Sequence, residues 1–318
     1  MHDIARRLTS CAAFTALIGL IACSQDSNRE AVGGSRIEFH TQARVMDAEL
    51  TEISGIEVAD GPTLLVHNDD GPPDLWYLDV EGEVSARFRL QGASNRDWED
   101  LTLIPRNGRT VIAIGDIGDN ERRRSSVQVY FLVMPAVAPN GARDELQFVD
   151  VLHTLELTYP DGPHDCEAIA YDASSDTLLF LTKRDRPPRL YGVDASEAIA
   201  RDRLALRFLG TVPTLRPPTR DDFRRLGKEA DWISQPTGMD INADSSLAAV
   251  ITYRSLYLFD RQADESWIEA FNRPPREFLG PASRDEEAIA FSGDMTLLYI
   301  SAEGHPAPIY RVALPASK

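Results

Sequence analysis

"DCEAIAYDASSDTLLFLTK", residues 165–183, is the stretch on which the fold turns. Two acids bracket a cysteine, a short apolar run follows, "ASSD" interrupts it, and a second apolar run begins. Two runs of strand length joined by a turn-rich tetrapeptide predict a β-hairpin. The opening phrase recurs along the chain. "EISGIEV" (52–58), "DWEDLTL" (97–103), "DCEAIAY" (165–171), "QPTGMDI" (235–241) and "DEEAIAF" (285–291) share one pattern. Each runs acid or amide, any residue, a polar residue, a mostly small one, then Ile, Leu or Met.

A second apolar run follows each phrase: "TLLVHND" (63–69), "TVIAIGD" (110–116), "TLLFLTK" (177–183), "LAAVITY" (247–253) and "TLLYISA" (296–302). A third run is short and aromatic: "LWYLDV", "VQVYFLV", "RLYGVD", "SLYLFD" and "IYRVAL". Fourth strands are expected at "VSARFRL", "HTLELTY", "LALRFLG" and near "WIEAF". Repeated units of three or four short strands are the signature of an all-β β-propeller. The last unit stops at "IYRVAL", and an unassigned strand-like stretch, "RIEFHTQARV" (36–45), precedes the first. The expected closure is that this N-terminal strand completes the last blade and removes an open sheet edge. Five blades are expected. A sixth could be housed in 186–236, although that stretch lacks its own acidic phrase.

Antiparallel hairpins return each second strand to the end where the first one starts. With the first strand innermost, the repeat position places Ser54, Glu99, Glu167, Thr237 and Glu287 around one mouth of the channel. Second-strand ends add His67, Asn68 and Asp69, then Asp116, Lys183, Arg184, Arg254, Glu303 and His305. Converging carboxylates either raise their pKa values or hold a cation. An all-oxygen donor set suits Ca²⁺. The expected metal ligands are Glu99, Glu167, Glu287 and Asp116, the last within "GDIGDNE" (115–121). Asp97, Asp165 and Asp285, the outer acids, are expected to cap turns. Asp69 and His305 are the candidate proton-transfer groups, and His67, Lys183 and Arg254 the candidate substrate contacts. The segment "RPPTRDDFRRLGKEADWISQP" (216–236) breaks the strand pattern. Thr219 with Asp222 predicts a helix start and Gly227 its stop; the whole is expected over the mouth, as a lid, a partner surface or a plain decoration of the fold.

The chain's first residues read as an address rather than as fold. Arg6 and Arg7 precede an apolar stretch, Cys11 to Ala22, that is too short to span a bilayer. It ends "LIAC" at Cys23, resembling the lipobox of bacterial lipoproteins. That resemblance implies a signal peptide over 1–22 and acylation of Cys23; the polar stretch after it predicts a flexible tether over 23–35, and the repeats predict one propeller domain over 36–318. Ser24 stands where an inner-membrane retention signal has Asp, so in a Gram-negative host an outer-membrane lipoprotein facing the periplasm is expected. The net charge is −17, and −18 once residues 1–22, with Asp3, Arg6 and Arg7, are removed. Such acidity argues against nucleic acid as a partner. Cys166 is then the one remaining thiol besides Cys23. Its neighbours Asp165 and Glu167 raise rather than lower its pKa, which argues against a nucleophile.

The blade phrases "ISGIEV…LLVHNDDG…LWYLDVEGEV" and "CEAIAYD…LLFLTK" resemble the SdiA-regulated and phytase-like (esterase-like) propeller families, in which a Glu-Gly-Ile-Ala phrase opens blades. The wider group of calcium-dependent propeller lactonases and phytases uses blade-start acids around a central cation. By phrase position the resemblance implies that Glu99, Glu167 and Glu287 are the channel acids. Ala168 and Ala288 stand where Gly is usual, and Ser54 and Thr237 stand in place of Glu. The expected function is a membrane-anchored propeller whose cation-holding mouth binds and hydrolyses an anionic ester or lactone. The alternative is a non-catalytic protein-interaction scaffold of the cell envelope.

Overall fold

The computed structural model describes residues 29–30, 36–59, 61–136, 145–281 and 285–315. The expected signal peptide and Cys23 lie outside the described residues. Of the expected tether, Arg29–Glu30 is described and pairs antiparallel with Arg36–Ile37. Among the described residues no helix is long and apolar enough to cross a membrane.

The chain folds as a five-bladed β-propeller. From the axis outward, blade 1 is built from 53–58, 64–68, 74–78 and 84–91, and blade 2 from 98–106, 109–116, 127–133 and 153–158. Blade 3 takes 166–172, 177–182, 189–194 and 207–211, and blade 4 takes 236–241, 247–252, 255–260 and 276–279. Blade 5 is 286–291, 297–302 and 307–313, and the N-terminal strand 39–45 completes it antiparallel to the third. The innermost strands touch one another in the closed order 1–2–3–4–5–1.

Each blade buries both faces, which is why its inner runs are apolar throughout rather than alternating. In blade 3, Ile169, Leu178 and Phe180 pack toward blade 2, while Ala168, Ala170, Leu179 and Leu181 pack toward blade 4. Five such interfaces, one between each neighbouring pair, form the core.

Two features depart from the expectations, while the count of five blades holds. "WIEAF" is a helix, Trp267–Phe271, capped by Ser266 with Glu269, and the fourth strand of blade 4 follows it at Arg276–Leu279. Its Trp267, Ala270 and Phe271 pack on the blade edge as a buried helical stripe. No sixth blade forms in 186–236, whose strands complete blade 3 and whose remainder is helical at 220–226 and 227–231. Finally, blades 1 and 2 each carry a fifth strand from their neighbour. Leu146–Asp150 runs parallel to 84–91, and Arg203–Ala205 runs parallel to 153–158. In both cases the chain covers an exposed sheet edge on its way to its own fourth strand.

Candidate functional site

The repeated phrase encodes a repeated distortion. In every blade the pairing of the innermost strand slips at one place: between Ile53 and Gly55, Trp98 and Asp100, Cys166 and Ala168, Pro236 and Gly238, and Glu286 and Ala288. The residue left over is Ser54, Glu99, Glu167, Thr237 or Glu287, the repeat position itself. A bulge of this kind bends the strand and re-aims the extra side chain. Here Ser54, Glu99, Glu167 and Glu287 line the channel mouth.

Not all five do the same work. Ser54 Oγ donates to the Glu99 carbonyl at 2.7 Å, and Thr237 Oγ1 to the Glu286 carbonyl at 2.6 Å. The two hydroxyls therefore staple adjacent blades. Deeper in the channel, Asp100 accepts from the Ile169 amide, which ties blade 2 to blade 3, and Asp240 from the Phe291 amide, a second tie between blades 4 and 5. The three glutamates remain for chemistry, and all are buried.

They line a cavity of about 630 Å³ together with Asp69, Lys183 and Tyr253 from second-strand ends. The insertion roofs one side through Leu226, Glu229, Trp232, Ile233 and Gln235. Thr219 and Asp222 form the expected capping box, and Gly227 ends the helix with φ 61°. The segment does lie over the mouth.

Glu99 is the hub of the mouth. Its carboxylate belongs to two groups whose oxygens lie within 4.8 Å of one another, Asp69–Asp97–Glu99 and Glu99–Asp165–Glu167. The second group is fully buried, and its donor set could hold a metal ion. Asp97 and Asp165 thus join the site instead of serving only as turn caps, although Asp165 also accepts the Asp119 amide at 2.9 Å and the Arg184 guanidinium. Gly118 lets the first group close: a Cβ there would stand 2.1 Å from Glu99 Oε1 and 2.5 Å from Asp97 Oδ2.

Burial and mutual repulsion govern the charges. Burial, then Glu167 and Asp69, pushes Glu99 well above the usual carboxylate range. Burial and the neighbouring Asp97 and Glu167 push Asp69 up to about 8. Asp97 is raised to about 6 by burial and then Glu167. In the cation-free mouth, Asp69 therefore carries a proton near neutral pH, and Glu99 is shifted in the same direction.

Glu287 is placed differently from Glu99 and Glu167. It accepts the Tyr253 hydroxyl and lies 3.8 Å from Lys183 Nζ, which itself sits 2.7 Å from Glu167 Oε2. Lys183 also faces the Tyr253 ring at 5.3 Å. Burial disfavours its charge, but Glu167 and Glu287 outweigh that and hold it protonated. An internal ammonium thus occupies the Glu167–Glu287 side and Arg184 pairs with Asp165, while Glu99 and Asp69 have no ion pair of their own among the described residues.

Four expected site residues are not brought into the mouth. Asp116 is buried against Arg124, 2.7 Å away, within a loop whose Asp119 accepts the amides of Arg123 and Arg124. His67 is fully buried edge-on to Trp98, and burial lowers its pKa to about 4. Its Nε2 stands 2.2 Å from where a Cβ on Gly55 would lie, so the glycine makes room for the ring. Arg254 holds the insertion down through Asp222 at 3.3 Å and Ser234 Oγ at 3.0 Å. His305 is exposed and does not line the cavity. Cys166 is buried, and burial more than its acidic neighbours pushes its thiol up to about 12.

Tyr253 was legible but overlooked. It ends "LAAVITY" at the position that Asp69 and Lys183 hold in their own runs. Trp232 had no such signal, because the insertion is not part of the repeat.

Fold and site together define a class, the five-bladed propeller with a carboxylate-lined channel mouth. No protein-family model matches the chain, and no curated protein matches it.

Proposed function

We propose that this protein is a lipid-anchored outer-membrane propeller of the cell envelope whose mouth holds Ca²⁺ and binds and hydrolyses an anionic ester or lactone. The observation that carries the reading is Glu99, shared by two carboxylate groups within 4.8 Å in a cavity with room for a small ligand. Only oxygens are offered, as a hard cation with loose geometry requires. Glu99, Asp165 and Glu167 are the residues to hold the ion. When bound, such a cation supplies positive charge to the reacting oxygen and makes water a better nucleophile.

The chain's own groups divide the remaining work. Asp69 faces the cavity with a pKa of about 8, suited to holding or accepting a proton near neutral pH. Lys183 donates to Glu167 Oε2 at 2.7 Å and favours its ionised form against the burial that raises its pKa. The apolar side chains of Trp232 and Ile233 cover the mouth and reduce water access.

Glu99→Gln tests the ion site, because the amide keeps the side chain's size and removes the charge that an ion requires. Calorimetry should show little change in chelator. Calcium at 100 times its Kd should stabilise the native protein by about 2.7 kcal/mol and the variant far less. Hydrolysis of p-nitrophenyl phosphate or a simple lactone should vanish in both chelator and variant. An equal calcium response in the two proteins overturns the ion site. Calcium binding without turnover leaves the envelope-scaffold reading in its place. For the anchor, Cys23→Ser should move the protein from the membrane fraction to the soluble one, and unchanged partition refutes acylation.

A further inference from the structure

A second cavity of about 310 Å³ adjoins the mouth. Lys183 and Gln235 line both, so the two share a wall. Their chemistry differs. The mouth is ringed by acids, whereas the second cavity is a groove walled by Pro188, Val212, Pro213, Leu215, Pro217 and Pro218. The insertion builds one side of each: Trp232 and Ile233 face the mouth, while Pro217, Pro218 and Ser234 face the groove.

The groove is preformed. Proline fixes its own φ, so the walls lose little freedom when a ligand enters. Val212 and Leu215 at the base are buried in the blade 3–blade 4 core, which holds the floor rigid. Across the rim, Arg186 binds Asp231 through Oδ1 at 2.9 Å and through its carbonyl at 2.8 Å, joining blade 3 to the insertion. An apolar slot is thus held open beside a polar site, with the buried ammonium of Lys183 between them.

We infer that the groove is the subsite for an apolar arm of the ligand whose anionic group sits in the mouth. The substrate class narrows accordingly to an amphipathic anionic ester or lactone with an alkyl or acyl chain. This inference rests on the mouth being the ligand site.

The test is calorimetric titration with n-alkyl phosphates, from methyl to decyl, in calcium and below their micelle concentrations. Affinity should rise about fourfold per methylene until the groove is filled, then level off. Pro217→Trp and Pro213→Trp narrow the groove from its exposed rim. They should remove most of the gain for long chains and leave methyl phosphate unchanged. Two variants are specified so that one misfolded protein does not spoil the comparison. If methyl phosphate binds but affinity is flat with chain length, the subsite is refuted and the mouth stands. The same holds if folded variants show the native climb. If no alkyl phosphate binds, the mouth reading fails and the subsite falls with it.

Discussion

Replacing Lys183 with Met should lower the melting temperature of the calcium-free protein by on the order of 10 °C at pH 8. Methionine keeps most of the aliphatic stem and removes the ammonium. That leaves Glu167 and Glu287, both buried, without the cation that now lies 2.7 and 3.8 Å from them. Breaking a buried pair by deleting one partner costs about 3–5 kcal/mol, and each kcal/mol is worth about 2–4 °C in a domain of this size. The carboxylates can escape by taking up protons, so the loss should shrink at pH 5. Calcium should recover part of it by supplying charge nearby. A loss equal at pH 5 and pH 8, or one below about 1 kcal/mol, shows that the ammonium does not stabilise the mouth.

The second large effect is the pH dependence of the native protein without calcium. Asp97 and Asp69 have folded pKa values of about 6 and about 8, both above the ordinary 3.8 of an unfolded aspartate. Between these values the folded state binds more protons than the unfolded one, so stability falls as pH rises. The contribution is complete below about pH 4 and disappears in two steps, through pH 6 and then pH 8. With calcium bound the ionised forms are favoured, and the decline should flatten. Calcium binding should also release protons, with affinity rising from pH 6 to pH 8 by up to about tenfold per unit for each proton displaced. Melting curves at pH 5, 7 and 9, with calcium and with chelator, measure both. Parallel pH profiles in the two conditions would falsify the link between these carboxylates and the ion.

Several layers of this molecule were written in the chain order. The five phrases and their following apolar runs determined the blades, because a strand buried on both faces must be apolar throughout and short turns must join it to its partner. The spare N-terminal strand determined the closure. The capping pair Thr219–Asp222 and Gly227 determined the one helix that was read, since those signals are local. The helix at 267–271 was missed because a five-residue buried helix and a buried strand share the same apolar content.

The site divided along the same physical line. That Glu99, Glu167 and Glu287 enter the channel follows from the repeat, since equivalent positions in a ring of equivalent blades occupy equivalent places. What each carboxylate meets there does not follow, because contacts across the axis join residues far apart in sequence. Only tertiary structure gave Lys183 to Glu167 and Glu287, diverted Asp116 to Arg124, and gathered Asp69, Asp97 and Asp165 about Glu99. Only tertiary structure sent His67 beneath Trp98 and committed Arg254 to the insertion. Charge pairing and burial depend on distances that the chain order leaves open, whereas hairpins, bulges and caps depend on neighbours within a few residues.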